Sequence, residues 1–321
     1  MTCAQLGDQK VPAVSVIVPA YGTTPYIAQA LDSVLAQGFR DLEIIVVNDG
    51  SPDTPELERV LLPYMPNIIY VKQPNHGIGH ARNTGFHKAR APLIALLDSD
   101  DYWAPDYLAC QMGVLAAEPT ADAVYPNAVL FGNPRTEGKT YMDIFPSEGE
   151  VSFLSLVSGK CNVLAPAMIL RRSAVERAGW YDPALRHAED FDLWLRLVKS
   201  GGKILYHRRV AYHLRRRADS LSHQTVSMCE SMLWILGQSE RRFSLTAEER
   251  AAVDQRQRRI GADLELERGK SAFSDGEVAV AIRHIAAANE YQPRWKLRFV
   301  LFLMKVAPGL LKLLMRVRAR S

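Results

Sequence analysis

Cysteine is scarce in this 321-residue chain, and its spacing excludes two kinds of cysteine-based framework. The four cysteines lie far apart and form no CxxC pair: Cys3, Cys110, Cys161 and Cys229. This argues against a disulfide framework and against a structural zinc site. It fits the reducing cytoplasm, where we expect the protein to work. The chain is long enough for one large domain with an appendage.

Two common nucleotide-binding signatures are also missing. No GxxxxGK[ST] motif occurs, which excludes P-loop chemistry. The loop from His76 to Asn83 contains two glycines but lacks the third glycine of the dinucleotide fingerprint, and it does not follow the first predicted strand. A hydride-transferring Rossmann enzyme is therefore disfavoured. A loop that approaches a phosphate, with Arg82 as a bidentate clamp, is still consistent with this segment.

Acidic residues are absent after Glu290, although eight of the 39 Lys and Arg residues lie there. The formal net charge of +4 is therefore a property of the tail. The tail has two apolar runs, 297–304 and 310–315, and each is too short to span a bilayer. We expect a helix pair in the membrane interface, with its basic ends on anionic lipid. A C-terminal helix folded onto the protein core is the alternative, and nucleic-acid binding ranks third.

What the chain does contain is an alternation of strands and helices. Short apolar runs rich in β-branched residues predict strands over 14–19, 42–48, 67–71 and 93–97, with helical spacing between them. This alternation is typical of a parallel, doubly wound sheet. In such a sheet the loops after the strands share one edge, so their polar residues converge.

The richest of these loops is Asp98-Ser99-Asp100-Asp101. Crowded carboxylates repel one another, and a divalent cation relieves that repulsion. Oxygen ligands at this density suit Mg²⁺ or Mn²⁺. The alternative is an Asp-rich turn, with Asp101 capping a helix that begins near Pro105. For Asp101 itself we favour the cap.

Four blocks together resemble a known family. They are VSVIVPAY from Val14, EIIVVNDGS from Glu43, GHARNTG from Gly79 and LDSDD from Leu97. In this order and spacing they resemble a family 2 glycosyltransferase, over about 14–222. The resemblance implies the GT-A fold, which is an α/β fold with a Rossmann-like, mostly parallel sheet flanked by helices. It also implies an inverting transfer from a nucleotide-sugar donor.

The resemblance assigns donor-side roles to individual residues. Pro19, Ala20, Tyr21 and Asp49 would hold the nucleoside, with Asp49 reading the base, which we take to be uracil. Arg82 would lie near the diphosphate. Asp98 and Ser99 would contact the donor, and Asp98 and Asp100 match the DxD pair that holds Mn²⁺ or Mg²⁺. His213 would complete the metal site or bind phosphate, whereas Arg215, Arg216 and Arg217 read more simply as a solvated basic loop.

A second acidic pair, Glu189-Asp190, begins a segment with helical apolar spacing. Negative charge in a first helical turn is favoured by the helix dipole, which is a complete structural explanation. Inverting transfer also needs a carboxylate that takes the proton of the acceptor hydroxyl. The resemblance makes Asp190 that base, with Glu189 orienting the acceptor.

These observations predict two domains. A glycosyltransferase domain covers 12–222, and a helical C-terminal region covers 223–321, with the basic amphipathic tail from about 294. The donor is a UDP-sugar, and the acceptor is a hydroxyl of a glycan or a lipid-linked glycan. One alternative is a non-catalytic scaffold that binds nucleotide-sugars. A sugar-nucleotide pyrophosphorylase ranks lower, because it needs a Gly-rich basic loop where this chain has Pro19-Ala20-Tyr21-Gly22.

Overall fold

The structure is a computed structural model, and it describes residues 10–217 and 225–306. These residues form two compact units that divide after residue 218. The domain boundary predicted between residues 222 and 223 lies outside the described residues. Among the described helices, none is long and apolar enough to cross a membrane.

The first unit is built on one eight-stranded sheet with the order β3-β2-β1-β4-β7-β6-β8-β5. The strands are β1 (Val14–Ala20), β2 (Leu42–Asp49), β3 (Ile68–Gln73), β4 (Leu93–Leu96), β5 (Tyr102–Trp103), β6 (Ala123–Phe131), β7 (Ile169–Arg171) and β8 (Ile204–Arg215). The pairs β2–β3, β1–β2, β1–β4 and β6–β8 are parallel. The pairs β4–β7, β6–β7 and β5–β8 are antiparallel. The sheet is therefore mixed rather than purely doubly wound.

Helices cover this sheet and connect its strands. In the first unit they are α1 (Thr24–Leu35), α2 (Thr54–Leu61), α3 (Ile78–Lys88), α4 (Tyr107–Ala117), α5 (Tyr141–Ile144), α6 (Phe153–Ser158), α7 (Arg172–Ala178) and α8 (Glu189–Lys199). Every residue of β1 is buried, which explains why Ser15 is the one polar side chain among its apolar residues. Helix α3 packs directly on β1, because a Cβ atom on Gly85 would lie only 2.4 Å from Ile17 Cγ2.

Two predicted elements differ from those observed. The residues 163–171 also read as a strand from the sequence, but the observed strand is shorter, because Ala165–Ala167 form a 3₁₀ turn before β7 begins at Ile169. Pro166 has no amide hydrogen for a strand ladder, which accounts for the late start. The basic residues Arg215, Arg216 and Arg217, which the sequence predicts as a loop, begin at the last residue of a strand, since β8 continues to Arg215.

The second unit is helical. It contains α9 (Thr225–Arg242), α10 (Ala247–Ser274), α11 (Val278–Tyr291) and α12 (Trp295–Val306). Helix α10 begins with a capping box between Thr246 and Glu249. Helices α10, α11 and α12 share an apolar core that includes Phe273, Ile285 and Met304. The second predicted tail helix, 310–315, lies outside the described residues.

Candidate functional site

The ends of β1, β2 and β4 lie along one edge of the sheet. In the parallel register Ala20 pairs with Asn48, and Ile17 pairs with Leu96, so the loops that follow these strands emerge together. Ser99 and Thr23 join two of these loops through their hydroxyl groups, 2.7 Å apart. The structure therefore brings the Pro19-Ala20-Tyr21 segment and the Asp98 loop to the same edge.

Arg82 forms two ion pairs from a buried position at this edge. Its Nη2 donates to Asp98 Oδ1 at 3.0 Å, and its Nη1 donates to Glu189 Oε1 at 3.3 Å. Its guanidinium lies over the ring of Tyr181, 5.5 Å from the ring centre. Only 3% of the Arg82 side chain is exposed. One buried cation therefore connects the loop after β4 with the start of α8, which the sequence did not predict.

Asp98 and Asp100 are the partly exposed carboxylates of their loop, with side-chain exposures of 26% and 22%. Burial raises the pKa of Asp100, and the nearby charge of Asp98 raises this pKa further. Arg217 Nη1 donates to Asp100 Oδ2 at 3.3 Å and offsets part of this repulsion. The charges of the two carboxylates therefore act on each other within this loop.

This pair fits a hard divalent cation by its chemistry. Mg²⁺ is usually held by one or two carboxylates, together with water and substrate phosphate oxygens. In the described ranges no group of three His, Cys, Asp or Glu side chains is assembled as a metal site. His213, the third predicted ligand, lies in β8 with its ring stacked on Tyr102 at 4.2 Å. Since no third side chain is assembled with this pair among the described residues, phosphate and water would supply most of the other ligands of the cation.

Asp101 is not a helix cap, and that expectation is wrong. Helix α4 begins at Tyr107, with Asp106 as the residue before it. Asp101 is buried, and it accepts hydrogen bonds from Tyr212 Oη at 2.9 Å and from the Arg215 amide at 2.6 Å. Burial and the charges of Asp100 and Asp98 raise the pKa of Asp101 well above its ordinary value. Its task is to hold the end of β8 against the loop.

The basic residues at the end of β8 are not a solvated loop either. The guanidinium of Arg215 lies between the rings of Tyr26 and Phe131, at 4.3 and 4.4 Å from their centres. Its Nε donates to the backbone oxygen of Asp100 at 2.7 Å. Arg217 reaches the Asp100 carboxylate, as described above. The run of three arginines in the sequence indicated positive charge near the site. Only the pairing of β8 shows which of these arginines contact the loop after β4.

Asp49 is almost completely engaged by its own protein. Its Oδ1 accepts from Gln73 Nε2 at 2.7 Å and from the His76 amide at 3.0 Å, while its Oδ2 accepts from the Gly77 amide at 2.9 Å. The side chain thereby fixes the loop that leads into α3. Tyr21, by contrast, is 53% exposed beside this edge.

Glu189 and Asp190 lie in the first turn of α8, as predicted. Ala188, just before them, has a φ of +56°, which is an unusual backbone conformation for a residue with a side chain. Burial, together with the charge of Asp190, raises the pKa of Glu189 to about 7. Burial also raises the pKa of Asp190, although Arg82 and the Phe191 amide, 2.7 Å from Asp190 Oδ1, act against that rise. Both groups are therefore stronger bases than ordinary carboxylates.

The segment 132–150 is polar and contains several Gly and Pro residues, which predicts a loop over the site, but the structure shows a short helix within it. A capping box between Thr140 and Asp143 begins α5, and the Met142 amide donates to Asn127 Oδ1 at 3.0 Å. Burial raises the pKa of Tyr141, and the charge of Asp190 raises it further. Tyr141 therefore lies near enough to Asp190 for the charge of that carboxylate to act on its hydroxyl.

Comparison with known proteins identifies the family. The family model described as glycosyl transferase family 2 matches residues 15–179, which is more than half of the chain. The chain belongs to this family. The match contains β1 to β7 and the carboxylate loop after β4. The predicted family is therefore confirmed.

Two sequence relatives illustrate the likeness. An uncharacterized glycosyltransferase of Rickettsia prowazekii is 29% identical over 238 residues, covering 70% of this chain and 70% of the relative. The putative glycosyltransferase EpsH of Bacillus subtilis is 30% identical over 217 residues, covering 65% and 62%. The matched region makes up 32% of the length of a relative from Rickettsia felis and 59% of the length of one from Rickettsia typhi. The chain therefore spans less than two thirds of these two relatives.

Solved structures share the fold at low sequence identity. The UDP-GlcNAc complex of S. aureus TarS 1-349 has a TM-score of 0.59 and 20% identity, covering 91% of this chain and 87% of TarS 1-349. The mannosyltransferase PcManGT from Pyrobaculum calidifontis, in complex with GDP-Man and Mn²⁺, has a TM-score of 0.59 and 19% identity, covering 91% and 79%. The predicted GT-A fold with C-terminal helices is confirmed.

Proposed function

We propose that the protein is an inverting, metal-dependent glycosyltransferase of the hexosyltransferase type. It moves a sugar from a UDP-sugar to a hydroxyl of a glycan or lipid-linked acceptor. The observation that carries this proposal is the position of Arg82, which pairs with Asp98 and with Glu189. The candidate donor loop and the candidate base therefore belong to one connected site. The nucleotide-sugars bound by TarS and PcManGT support the choice of donor class.

On the donor side, Asp98 and Asp100 would hold Mn²⁺ or Mg²⁺. A bound divalent cation stabilises the negative charge that develops on the leaving diphosphate. Pro19, Ala20 and the exposed Tyr21 ring would flank the nucleoside. Ser99 would fix the loop against Thr23, as its hydrogen bond does here.

Two further residues complete the proposed donor site. Asp49 would shape the base pocket chiefly through the loop that it holds, since both of its oxygens already accept hydrogen bonds. A direct hydrogen bond from uracil to Asp49 would use a lone pair of the carboxylate that these hydrogen bonds do not occupy. His213 is assigned as a phosphate contact or a further cation ligand.

On the acceptor side, Asp190 is the proposed base. Its carboxylate takes the proton as the acceptor oxygen bonds to the anomeric carbon and the bond from that carbon to the diphosphate oxygen breaks. Attack opposite the leaving group inverts the anomeric centre. Burial raises the pKa of Asp190, which strengthens it as a base near neutral pH. Glu189, held by Arg82, would orient the acceptor hydroxyl.

We assign the reaction to the cytoplasm, at the inner face of the membrane where the acceptor is lipid-linked. The scarcity of cysteine and the basic C-terminal tail support this assignment.

Replacement of the proposed base tests the function. Asp190→Asn should lower the transfer rate by about 10²–10⁴-fold, because a positioned general base contributes about that factor. Calorimetry should show unchanged UDP binding, since the proposal assigns the donor contacts to other residues. The matched control is Asp182→Asn, whose side chain accepts a hydrogen bond from the Ala184 amide, and it should transfer at the wild-type rate. Loss of UDP binding in Asp190→Asn, or normal transfer by it, would contradict the assignment.

A further inference from the structure

Helix α12 carries a row of exposed apolar side chains, which we call the outer stripe. Its members recur at helical spacing and are 74%, 56%, 57% and 66% exposed, in the order Trp295, Phe299, Phe302 and Val306. At about 100° per residue they fall within an arc of about 60°. Large apolar side chains gathered on one exposed face mark an interaction surface.

The opposite face of the same helix is already in use. Met304 is buried in the core shared with Phe273 and Ile285, and Leu297, Val300 and Leu301 pack against that core. Helix α12 is therefore anchored by one face, and the outer stripe needs no rearrangement to meet a partner.

Basic side chains flank the outer stripe on both sides. At helical spacing Lys296 falls on one side, and Arg298 and Lys305 fall on the other. Lys296 Nζ lies 5.9 Å from the centre of the Trp295 ring. Long basic side chains beside an apolar ridge can extend toward phosphate groups while the ridge enters the apolar layer.

We infer that the outer stripe of α12 inserts into the surface of an anionic lipid membrane. The charge pattern selects this partner over a second copy of the chain. No acidic residue follows Glu290, so two copies of α12 would bring cations against cations. Trp and Phe beside Lys and Arg match the interface of a bilayer that carries negative headgroups. The inference rests on α12 alone and does not depend on the proposed transfer reaction.

Vesicle flotation of the full chain tests the inference. Wild type should float with vesicles of equal parts phosphatidylglycerol and phosphatidylcholine, and it should float much less with phosphatidylcholine alone. The double variant Phe299→Asp/Phe302→Asp should lower the bound fraction at least about tenfold, since both charges would enter the apolar layer. The control is Leu62→Asp, which alters an apolar side chain that is 64% exposed in the first unit, and it should float like wild type.

Charge reversal gives a second, independent measurement. Lys296→Glu/Arg298→Glu should weaken binding to the anionic vesicles by about an order of magnitude or more, because each basic residue near such a surface is worth about fivefold. Added salt should weaken wild-type binding.

Two outcomes would overturn the inference. One is equal flotation of wild type and Phe299→Asp/Phe302→Asp, which would assign any membrane binding to another segment. The other is that wild type does not float and instead forms an oligomer without lipid, which Phe299→Asp/Phe302→Asp dissociates. That result would make the outer stripe a contact between copies of the chain. UDP calorimetry on the double variant separates this inference from the proposed function, because that binding should be unchanged.

Discussion

Two acidic clusters in the first unit differ in how their charges are balanced. In the loop after β4, Asp98, Asp100 and Asp101 are each met by a side chain or an amide from another element. At the start of α8, Glu189 shares its one cation with Asp98, and Asp190 accepts from its neighbour's amide. The second cluster therefore has fewer hydrogen-bond partners from other elements.

The difference indicates what each cluster is suited to do. Partners from other elements fix Asp98, Asp100 and Asp101 in place, where these residues can bind a cation or hold a strand. Glu189 and Asp190 have fewer such partners, and their raised pKa values suit them to take a proton. Arg82 forms an ion pair with a carboxylate of each cluster, so its one positive charge stabilises both clusters.

Removal of the shared cation should affect both clusters at once. Arg82→Met should lower the free energy of unfolding by about 3–5 kcal/mol, because breaking a buried ion pair leaves uncompensated buried charge. Urea denaturation measures this. The control is Arg177→Met, since that side chain is 44% exposed and pairs with Asp122, and a change of about 1 kcal/mol or less is expected there. Equal changes in both variants would contradict the central place of Arg82.

A smaller effect should follow from loss of one donor in the loop after β4. Tyr212→Phe removes the hydroxyl that donates to Asp101 and should cost about 1–3 kcal/mol of stability, because it leaves a buried carboxyl oxygen without its donor. UDP binding should remain, because Asp101 holds β8 and does not meet the donor in our account. Binding lost with stability intact would instead make Asp101 a donor contact.

The pH dependence of stability tests the carboxylate pair at the start of α8. The pKa of Glu189 is raised in the folded state to about 7, so its stabilising contribution is present at low pH and is lost as the pH rises through that value. Relative to Glu189→Gln, wild type should lose about 2 kcal/mol between about pH 5 and about pH 7. Urea denaturation at both pH values measures the difference. Parallel pH profiles would mean that Glu189 has an ordinary pKa.

The smallest effect tests the close approach of α3 to Glu189. A Cβ atom on Gly79 would lie 3.0 Å from Glu189 Cγ, whereas one on Gly113 in α4 meets nothing within 4 Å. Gly113→Ala should gain about 0.5–1 kcal/mol of stability. Gly79→Ala should gain less and should slow transfer a few-fold by displacing Glu189. An equal gain of stability in both variants, with normal transfer by Gly79→Ala, would show that the site accommodates the added methyl group without displacing Glu189.

The sequence predicted the strands at the donor edge well, because their apolar runs are buried and their loops carry polar residues. It also placed Glu189 and Asp190 in the first turn of α8 correctly. It could not predict the ion pair between Arg82 and Glu189, since 107 residues separate them and no sequence pattern links two such distant positions. It misread Asp101, because a helix cap and an anchor for a distant strand use the same residue type. Only the pairing of β5 with β8 distinguishes them.

The most direct test of the account is calorimetry of UDP binding with and without Mn²⁺, on wild type, Asp100→Ala and Asp190→Asn. GDP and dTDP serve as competing nucleotides. The account predicts Mn²⁺-dependent UDP binding that Asp100→Ala abolishes and Asp190→Asn retains. Binding that ignores Mn²⁺ and survives Asp100→Ala, or is lost in Asp190→Asn, would contradict the division of tasks between the two clusters.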